Sequence, residues 1–293
     1  MRRPRIQAQA MMQTAEPAVA TVRKVPHVIT ITSGKGGVGK TNLTANLGWH
    51  LRQLRRRVLI LDADLGLANI DVLLGLTPEF NLGHVIRGEK SMSEVLMRGP
   101  GGLRILPADS GVSELTELND GQRLRLLGEM ESLQEEFDYI LIDTGAGISA
   151  NVMYFNLAAQ TMVVVVTPEP TSLTDAYALI KILSGRYRQR HFTILANDVR
   201  DEAEGADVFG NLTRVTDRFL NVSLDYLGCV PHAPQLRKAV QMQRLLSEVE
   251  PGAPASAAIR KLARKIGAME NDPLQCDLGI LWRNLLGQKA AAV

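Results

Sequence analysis

The sequence predicts an α/β fold: a doubly wound, mainly parallel sheet with helices on both faces. From Val28 onward, short β-branched runs alternate with longer stretches of helical period, which is typical of that architecture. Hydrophobic residues make up 45% of the chain, enough to build a full core, whereas aromatic residues make up only 4%. Polar residues follow most of the β-branched runs, at the edge where ligands bind in such sheets.

The predicted elements follow one another along the chain. After the first strand, four leucines recur at helical spacing and predict the apolar stripe of a helix: Leu43, Leu47, Leu51 and Leu54. An amphipathic stretch over residues 121–136 precedes another strand, and residues 255–266 predict a late helix. The predicted strands are residues 28–32, 58–61, 103–106, 139–142, 163–166, 192–195 and 226–230.

The composition indicates one globular unit with a further segment at either end. We expect a domain of residues 25–270, preceded by a flexible tail of residues 1–24 and followed by an amphipathic segment of residues 271–293. Arginines near the start are followed by no continuous apolar stretch, so the tail does not resemble a signal peptide. The aliphatic runs are far shorter than the ~20 residues of a membrane span.

Charge and cysteine content narrow the class of protein. Thirty-three basic residues against 31 acidic residues give a net charge of +2, which argues against an obligate nucleic-acid binder. Cys229 and Cys276 are far apart and form no CxxC pair, so neither a disulfide framework nor a zinc site is predicted. These features predict a cytoplasmic protein.

A glycine-rich loop connects the first predicted strand to the first predicted helix. Residues 34–41 read Gly-Lys-Gly-Gly-Val-Gly-Lys-Thr and fit the phosphate-loop pattern G-x-x-x-x-G-K-[ST] of a P-loop NTPase. Glycines let backbone N–H groups turn toward phosphate oxygens, and the N-terminus of the following helix favours an anion. We expect Lys40 to reach the β- and γ-phosphates and the Thr41 hydroxyl to ligate Mg²⁺. The predicted nucleotide-binding residues are Gly34, Lys35, Gly36, Gly37, Val38, Gly39, Lys40, Thr41 and Asn42.

Three aspartates follow predicted strands and are candidates to serve a metal–nucleotide complex. Asp62 and Asp64 are one residue apart, so their side chains share a face of an extended segment. Asp143 follows four apolar residues, as in a Walker B strand, and should bind Mg²⁺ through water. Asp62 should support the metal shell or Lys40. We therefore predict that Thr41, Asp64 and Asp143 serve the metal.

Lys35 is a second lysine near the start of the loop, and a plain phosphate loop needs only one. With Lys35, residues 35–41 resemble the deviant Walker A signature of the MinD/ParA family of ATPases. The resemblance implies an ATP-bound sandwich homodimer in which Lys35 reaches the nucleotide of the other subunit. It also implies that Asp64 orients or activates the attacking water. The catalytic residues implied by the resemblance are Lys35, Lys40 and Asp64.

The same resemblance assigns two switch segments and a base site. Residues 64–75 match the first switch and residues 143–149 the second; Asn69 in the first switch is either a nucleotide sensor or a helix cap. Asn197 ends a predicted strand, where its amide can match the donor and acceptor edge of adenine. Family members use an asparagine there and a proline-containing loop after the next strand, which favours ATP over GTP. In this chain that loop carries Pro231 and His232.

Longer stretches resemble one branch of this family, the flagellar-number regulators (FleN/FlhG). The branch implies a slow ATPase that restrains flagellar number by binding a flagellar master transcription activator of the enhancer-binding type, and that acts with a flagellar placement GTPase. One departure is Gly145 in the second switch, where the branch predicts alanine. The stretches that carry the resemblance are residues 62–78, 169–181, 212–220 and 237–244.

Two other functions within the family stay open: a MinD-like division-site regulator and a ParA-like DNA-partition ATPase. The latter would bind DNA. The small arginine group at Arg186, Arg188 and Arg190 is more typical of a solvated helix end, so we expect no specific nucleic-acid binding.

The terminal segment, residues 271–293, has an apolar face at helical spacing. Such a helix can lie in a bilayer interface and hold the protein peripherally at the inner face of the cell membrane, as the family resemblance implies. Packing into a groove of its own domain, or onto the dimer partner, is an equal alternative. The apolar face carries Leu278, Leu281, Trp282, Leu285 and Leu286.

Overall fold

The computed structural model describes residues 25–64, 69–107 and 136–269, together with residues 119, 121, 122, 125, 128, 129, 132 and 133. The strands are β1 (His27–Ser33), β2 (Val58–Ala63), β3 (Met97–Arg98), β4 (Arg104–Leu106), β5 (Tyr139–Ala146), β6 (Thr161–Val166), β7 (His191–Val199) and β8 (Ser223–Pro231). They form one sheet in the order β3-β4-β2-β5-β1-β6-β7-β8. All pairings are parallel except that of β3 with β4, which confirms the predicted fold class.

Helices cover both faces of the sheet. The described helices are α1 (Lys40–Gln53), α2 (Ile70–Leu74), α3 (Leu82–Arg87), α4 (Met92–Val95), α5 (Ala150–Ala158), α6 (Pro170–Tyr187), α7 (Glu202–Phe219), α8 (Gln235–Gln241), α9 (Leu246–Val249) and α10 (Pro254–Gly267). A 3₁₀ turn at Pro100–Gly102 precedes β4.

The central strands are buried on both faces, because alternate residues point to opposite helical layers. In β6, Val163 and Val165 pack in the cluster that contains α1 and α10. Val164 and Val166 pack in the cluster formed with α5, α6 and α7. This burial on both sides explains why the strands read as continuous aliphatic runs rather than as alternating patterns.

The predicted strands are all confirmed, and the structure extends most of them by several residues. The short strand β3 was not predicted, because two residues are too few to show a period. The prediction for Leu54 was wrong: α1 ends at Gln53, and Leu54 is 40% exposed rather than part of the buried stripe. Arg55 next to it has a φ of 60°, which ends the helix.

The topology brings the carboxyl ends of the seven parallel strands described here to one edge, with β1 in the middle between β5 and β6. In doubly wound sheets this edge is where ligands bind. In the described part of the chain, no helix has both the length and the apolar character needed to cross a membrane. The predicted tail of residues 1–24 and terminal segment of residues 271–293 lie outside the described residues.

Candidate active site

The glycine-rich loop connects β1 to α1 at the carboxyl edge of the sheet. Gly37 and Gly39 have φ angles of 79° and 92°, a left-handed conformation that glycine adopts without strain. Gly39 is the N-cap of α1, and no side chain caps this helix. The first N–H groups of α1 are therefore left for an anion, and the loop fits a phosphate as predicted.

The start of the loop is held tightly against α6. A Cβ atom at Gly34 would lie 2.1 Å from the backbone oxygen of Asp175, so only glycine permits this approach. The adjacent Lys35 forms an ion pair with Glu169 and donates to Thr171 Oγ1 at 2.9 Å. The sequence analysis did not predict Glu169 and Thr171 as partners of Lys35, although the acidic residue in the segment after β6 was a signal. Within one chain, Lys35 is bonded to its own α6 terminus.

Lys40, the first residue of α1, is only 8% exposed. Its Nζ donates to Ser33 Oγ at 3.0 Å, and this serine in turn donates to the carbonyl of Lys35 at 2.7 Å. Burial lowers the pKa of the Lys40 amine, and the nearby carboxylates of Asp143 and Asp64 oppose that shift. A buried cation at the uncapped end of a helix is suited to bind the oxygens of a polyphosphate.

Asp143 lies on β5 beside Lys40 and is 2% exposed. Burial raises the pKa of its carboxyl to about 7, while the hydrogen bond from Thr41 acts in the opposite direction. Thr44 Oγ1 lies 3.4 Å from the same carboxylate. The fold thus brings Thr41 and Asp143 together, as predicted. A hydroxyl and a carboxylate are hard oxygen donors of the kind that Mg²⁺ prefers, so these residues fit that ion.

Asp62 stabilises the segment between β2 and α2. Its carboxylate accepts three backbone hydrogen bonds: from Asp64 N at 3.1 Å, Asn69 N at 3.1 Å and Ile70 N at 3.2 Å. Both oxygens thus help to fix this segment, and the predicted support of the metal shell or of Lys40 stays a prediction. Burial raises the pKa of this carboxyl, and the three backbone bonds oppose the shift.

Asn69 occupies the N-cap position of α2, but its side chain makes no capping hydrogen bond. Asp62 supplies that function from the end of the neighbouring strand, because it binds the N–H groups at the start of the helix. The Asn69 side chain is exposed. Its predicted role as a nucleotide sensor stays a prediction.

Asp64, the predicted catalytic carboxylate, directly follows β2 and is half-buried. Its charge acts on both Lys40 and Asp143. Among the described residues its carboxylate has no hydrogen-bond partner; only its backbone N–H is bonded, to Asp62. A carboxylate in this position can accept a hydrogen bond from a water molecule near the terminal phosphate. Residues 65–68 of the first switch lie outside the described residues.

A cavity of about 230 Å³ adjoins the loop on the side of β7 and β8. The predicted residues Asn42, Asn197 and Pro231 line it together with loop residues Lys35 to Gly39. The far wall is apolar and comes from α8, α9 and α10, which sequence reasoning did not connect with the site. That wall includes Leu236, Leu246, Ala255 and Ile259.

Asn197 and His232, both predicted to read the base, are placed differently. Asn197 Nδ2 donates to the Val38 carbonyl at 2.8 Å, so this side chain supports the loop and has its amide oxygen left for a base. His232 is not among the residues that line the cavity. Its Nδ1 lies 2.6 Å from Asp198 Oδ1, and Asp198 has a φ of 60° at the cavity rim. The predicted role of the Pro231–His232 loop at the base stays a prediction.

Comparisons with known proteins agree with this site. A family model described as an AAA domain matches residues 26–193. The chain is 48% identical to the antiactivator FleN of Pseudomonas aeruginosa over 239 residues, which cover 82% of this chain and 85% of that relative. It is 36% identical to the flagellum site-determining protein YlxH of Helicobacter pylori over 80% of each chain.

Among solved structures, the septum site-determining protein MinD of Pyrococcus horikoshii, in complex with Mg-ADP, superposes with a TM-score of 0.65. The two chains are 26% identical, and the match covers 83% of this chain and 96% of that one. The similarity extends well beyond the loop to most of the described sheet, because a match of this coverage must include both halves of the fold.

Proposed function

The chain belongs to the MinD/ParA family of ATPases, and from this membership we propose that it is an ATP-dependent dimerisation switch that regulates flagellar number. The observation that carries the proposal is the 48% identity to the antiactivator FleN over most of both chains. The deviant loop with Lys35 and Lys40 supports the nucleotide-driven part of the proposal.

Nucleotide binding begins with Lys40 and the uncapped end of α1. Lys40 exchanges its bond to Ser33 for oxygens of the β- and γ-phosphates, and the N–H groups of the loop surround the same phosphates. Mg²⁺, when bound, neutralises charge on the phosphate oxygens, and Thr41 and Asp143 would hold it. The base would enter the cavity beside β7 and β8, where the amide oxygen of Asn197 can accept from the adenine amino group.

Lys35 couples nucleotide binding to dimerisation. Its ammonium is bonded to Glu169 and Thr171 at the surface of its own chain, so a phosphate of the partner subunit's nucleotide must compete with these two groups. A triphosphate carries more negative charge than one carboxylate, so it is the stronger partner for a lysine at an interface. ATP therefore favours the homodimer, in which each subunit completes the site of the other.

Hydrolysis resets the switch. Asp64 lies beside Lys40 and has a free carboxylate among the described residues, so it can orient the attacking water and accept its proton. Loss of the terminal phosphate removes part of the charge that holds the partner's lysine. Lys35 then returns to Glu169, and the dimer separates.

The proposed target of the ATP-bound dimer is a flagellar master transcription activator of the enhancer-binding type. The similarity to a protein named as an antiactivator supports an activator as the target. The similarity to a flagellum site-determining protein supports joint action with a flagellar placement GTPase. Residues 271–293 would add a peripheral contact with the inner face of the membrane.

The test is deletion of the gene followed by a count of flagella per cell. We expect more flagella than in the parent, restoration by the wild-type gene, and no restoration by Lys40→Ala expressed at the same level. Unchanged flagella with minicells or septation defects would instead support the division-site function, which the lower identity to septum site-determining MinD proteins favours less than the 48% identity to FleN favours the flagellar one.

A further inference from the structure

The second switch, residues 143–149, contains two glycines, Gly145 and Gly147, whose surroundings differ. Gly147 has a φ of 90°, so its backbone conformation itself excludes most side chains. Gly145 lies in the extended strand β5, and its φ angle is not positive. Alanine could take this backbone conformation. Backbone geometry therefore does not require glycine at position 145, and the space around its α-carbon is the local constraint that is left.

The atom that takes this space belongs to Asp64. A Cβ atom at Gly145 would lie 3.3 Å from Asp64 Oδ1 and 3.5 Å from Val152 Cγ2. The strand register explains the contact: Asp62 is opposite Asp143 and Ala63 is opposite Thr144, so the next pair along β2 and β5 is Asp64 with Gly145. The Asp64 carboxylate lies over the bare α-carbon of Gly145.

We propose that Gly145 is a positioning residue for hydrolysis, because its lack of a side chain sets where the Asp64 carboxylate lies relative to Lys40 and Asp143. The inference rests on the proposed role of Asp64. A methyl group at position 145 would require the Asp64 carboxylate to move by a few tenths of an ångström, whereas Val152 Cγ2 would lie at an ordinary contact distance.

The neighbour that yields is Asp64 rather than Val152. Val152 is 4% exposed and is packed in α5 within a buried cluster, where displacement meets other side chains. Asp64 is half-buried, and its carboxylate has no hydrogen bond among the described residues to hold it in place. Alanine at position 145 therefore changes the position of the carboxylate while the fold and the phosphate loop stay as they are.

The consequence should appear in the chemical step alone. A misplacement of about 1 Å in a catalytic group costs roughly a hundredfold in rate, so a shift of about half that distance should cost roughly tenfold. The phosphate loop and the base cavity do not contact Gly145, so ATP affinity should not change. In this way residue 145 sets how long the ATP-bound state lasts.

The experiment is a double-mutant cycle on the full-length chain, with Gly145→Ala, Asp64→Asn and the combined variant. ATP affinity is measured with a fluorescent ATP analogue and Mg²⁺, and hydrolysis by single turnover. We expect Gly145→Ala to bind ATP normally and to hydrolyse it roughly tenfold more slowly. In the Asp64→Asn background the same change should have no further effect on the residual rate.

A second change supplies a rescue. Val152→Ala removes the other neighbour, so Gly145→Ala with Val152→Ala should recover most of the lost rate, because the new methyl group can move toward α5. An unchanged rate in Gly145→Ala, or an equal loss in the Asp64→Asn background, would overturn the inference. If Asp64→Asn alone hydrolyses ATP at the wild-type rate, the proposed role of Asp64 fails first, and the two failures are distinguishable.

Discussion

The phosphate end of the site, formed by residues 34–41 with Asp64 and Asp143, is built differently from the base end, formed by the cavity beside β7 and β8. The phosphate end is polar, with Lys40 and Asp143 buried, and most of it comes from a single run of residues. The base end has an apolar far wall and draws on residues from Asn42 to Ile259. From this difference we expect charge at the phosphate end to provide most of the affinity for ATP. The base end should make a smaller contribution to affinity and set the preference for ATP over GTP.

The largest effect is expected from Lys40→Ala, which removes the buried cation at the phosphate end. Two charge-assisted hydrogen bonds to phosphate are lost, each of about 1.5–3 kcal/mol, so ATP affinity should fall roughly a thousandfold. Calorimetric titration with Mg-ATP measures this loss. A matched control is Lys90→Ala, a surface lysine whose ion pair with Glu94 is exposed. A loss of ATP affinity below tenfold for Lys40→Ala would contradict the proposal that the phosphate end provides most of the affinity.

Asp64→Ala should affect turnover rather than binding at the same end. Removal of a carboxylate that orients and deprotonates water costs roughly a hundredfold or more in rate, whereas the phosphate cradle is intact. The variant should trap ATP and remain dimeric in sedimentation experiments with Mg-ATP. Near-normal turnover would show that the catalytic group lies elsewhere.

Variants of the ion pair between Lys35 and Glu169 should change dimerisation while they leave nucleotide binding nearly unchanged. Lys35→Ala should keep ATP affinity within a few-fold and lose the ATP-dependent dimer, since its amine is the group that reaches the partner's nucleotide. Glu169→Gln, the matched variant, frees the same lysine and should lower the ATP concentration needed for dimers. Light scattering across an ATP titration distinguishes the two. Dimers in Lys35→Ala at wild-type ATP concentrations would rule out the sandwich arrangement.

A pH effect on the free energy of unfolding should come from two buried histidines, His27 on β1 and His50 on α1. Burial lowers the pKa values of His27 and His50 to about 4; Arg260 adds to the shift at His50, whose Nε2 lies 3.0 Å from Ser247 Oγ behind the base end. The unfolded values are about 6.5, so between pH 6.5 and 4 the unfolded chain binds more protons. The stability that these two histidines contribute is therefore full above about pH 6.5 and is lost as pH decreases toward 4, whereas the raised pKa of Asp143 acts in the opposite direction.

Urea unfolding at pH 7.5 and pH 5 measures this effect. We expect a loss of about 2 kcal/mol per histidine over that interval, as an order of magnitude. His50→Gln, which cannot become charged, should remove the loss of about 2 kcal/mol that His50 contributes between these two pH values. Equal pH dependence in that variant and the wild type would contradict the assignment of His50.

The smallest effect is expected at the base end. Asn197→Ala removes the hydrogen bond to the Val38 carbonyl and the proposed contact with adenine, each of about 1 kcal/mol, so ATP affinity should fall roughly ten- to thirtyfold and the preference for ATP over GTP should narrow. Val230→Ala, on the same wall, is the control for lost packing alone. Unchanged selectivity in Asn197→Ala would mean that the base is read by other groups.

Much of the phosphate end could be predicted from the sequence, because a phosphate loop is a local structure. The spacing of Gly34, Gly39 and Lys40 after a strand and before a helix determines which N–H groups and which amine face an anion, whatever the rest of the fold. The same holds for the strand at Asp143. The apolar wall of the base end could not be predicted, since Leu246 and Ile259 reach the cavity only through the packing of α9 and α10.

The sequence by itself determined the parallel sheet, the loop and the carboxylates at the strand ends, because each of these is written in periodicity or in short spacings along the chain. Only the tertiary structure decided what individual side chains do there. Asp62 caps α2 because three N–H groups converge on it, and Gly145 lies against Asp64 because β2 and β5 are neighbours in register. Contacts between strands depend on order and register in the sheet, and neither is visible in the spacing of residues along one chain.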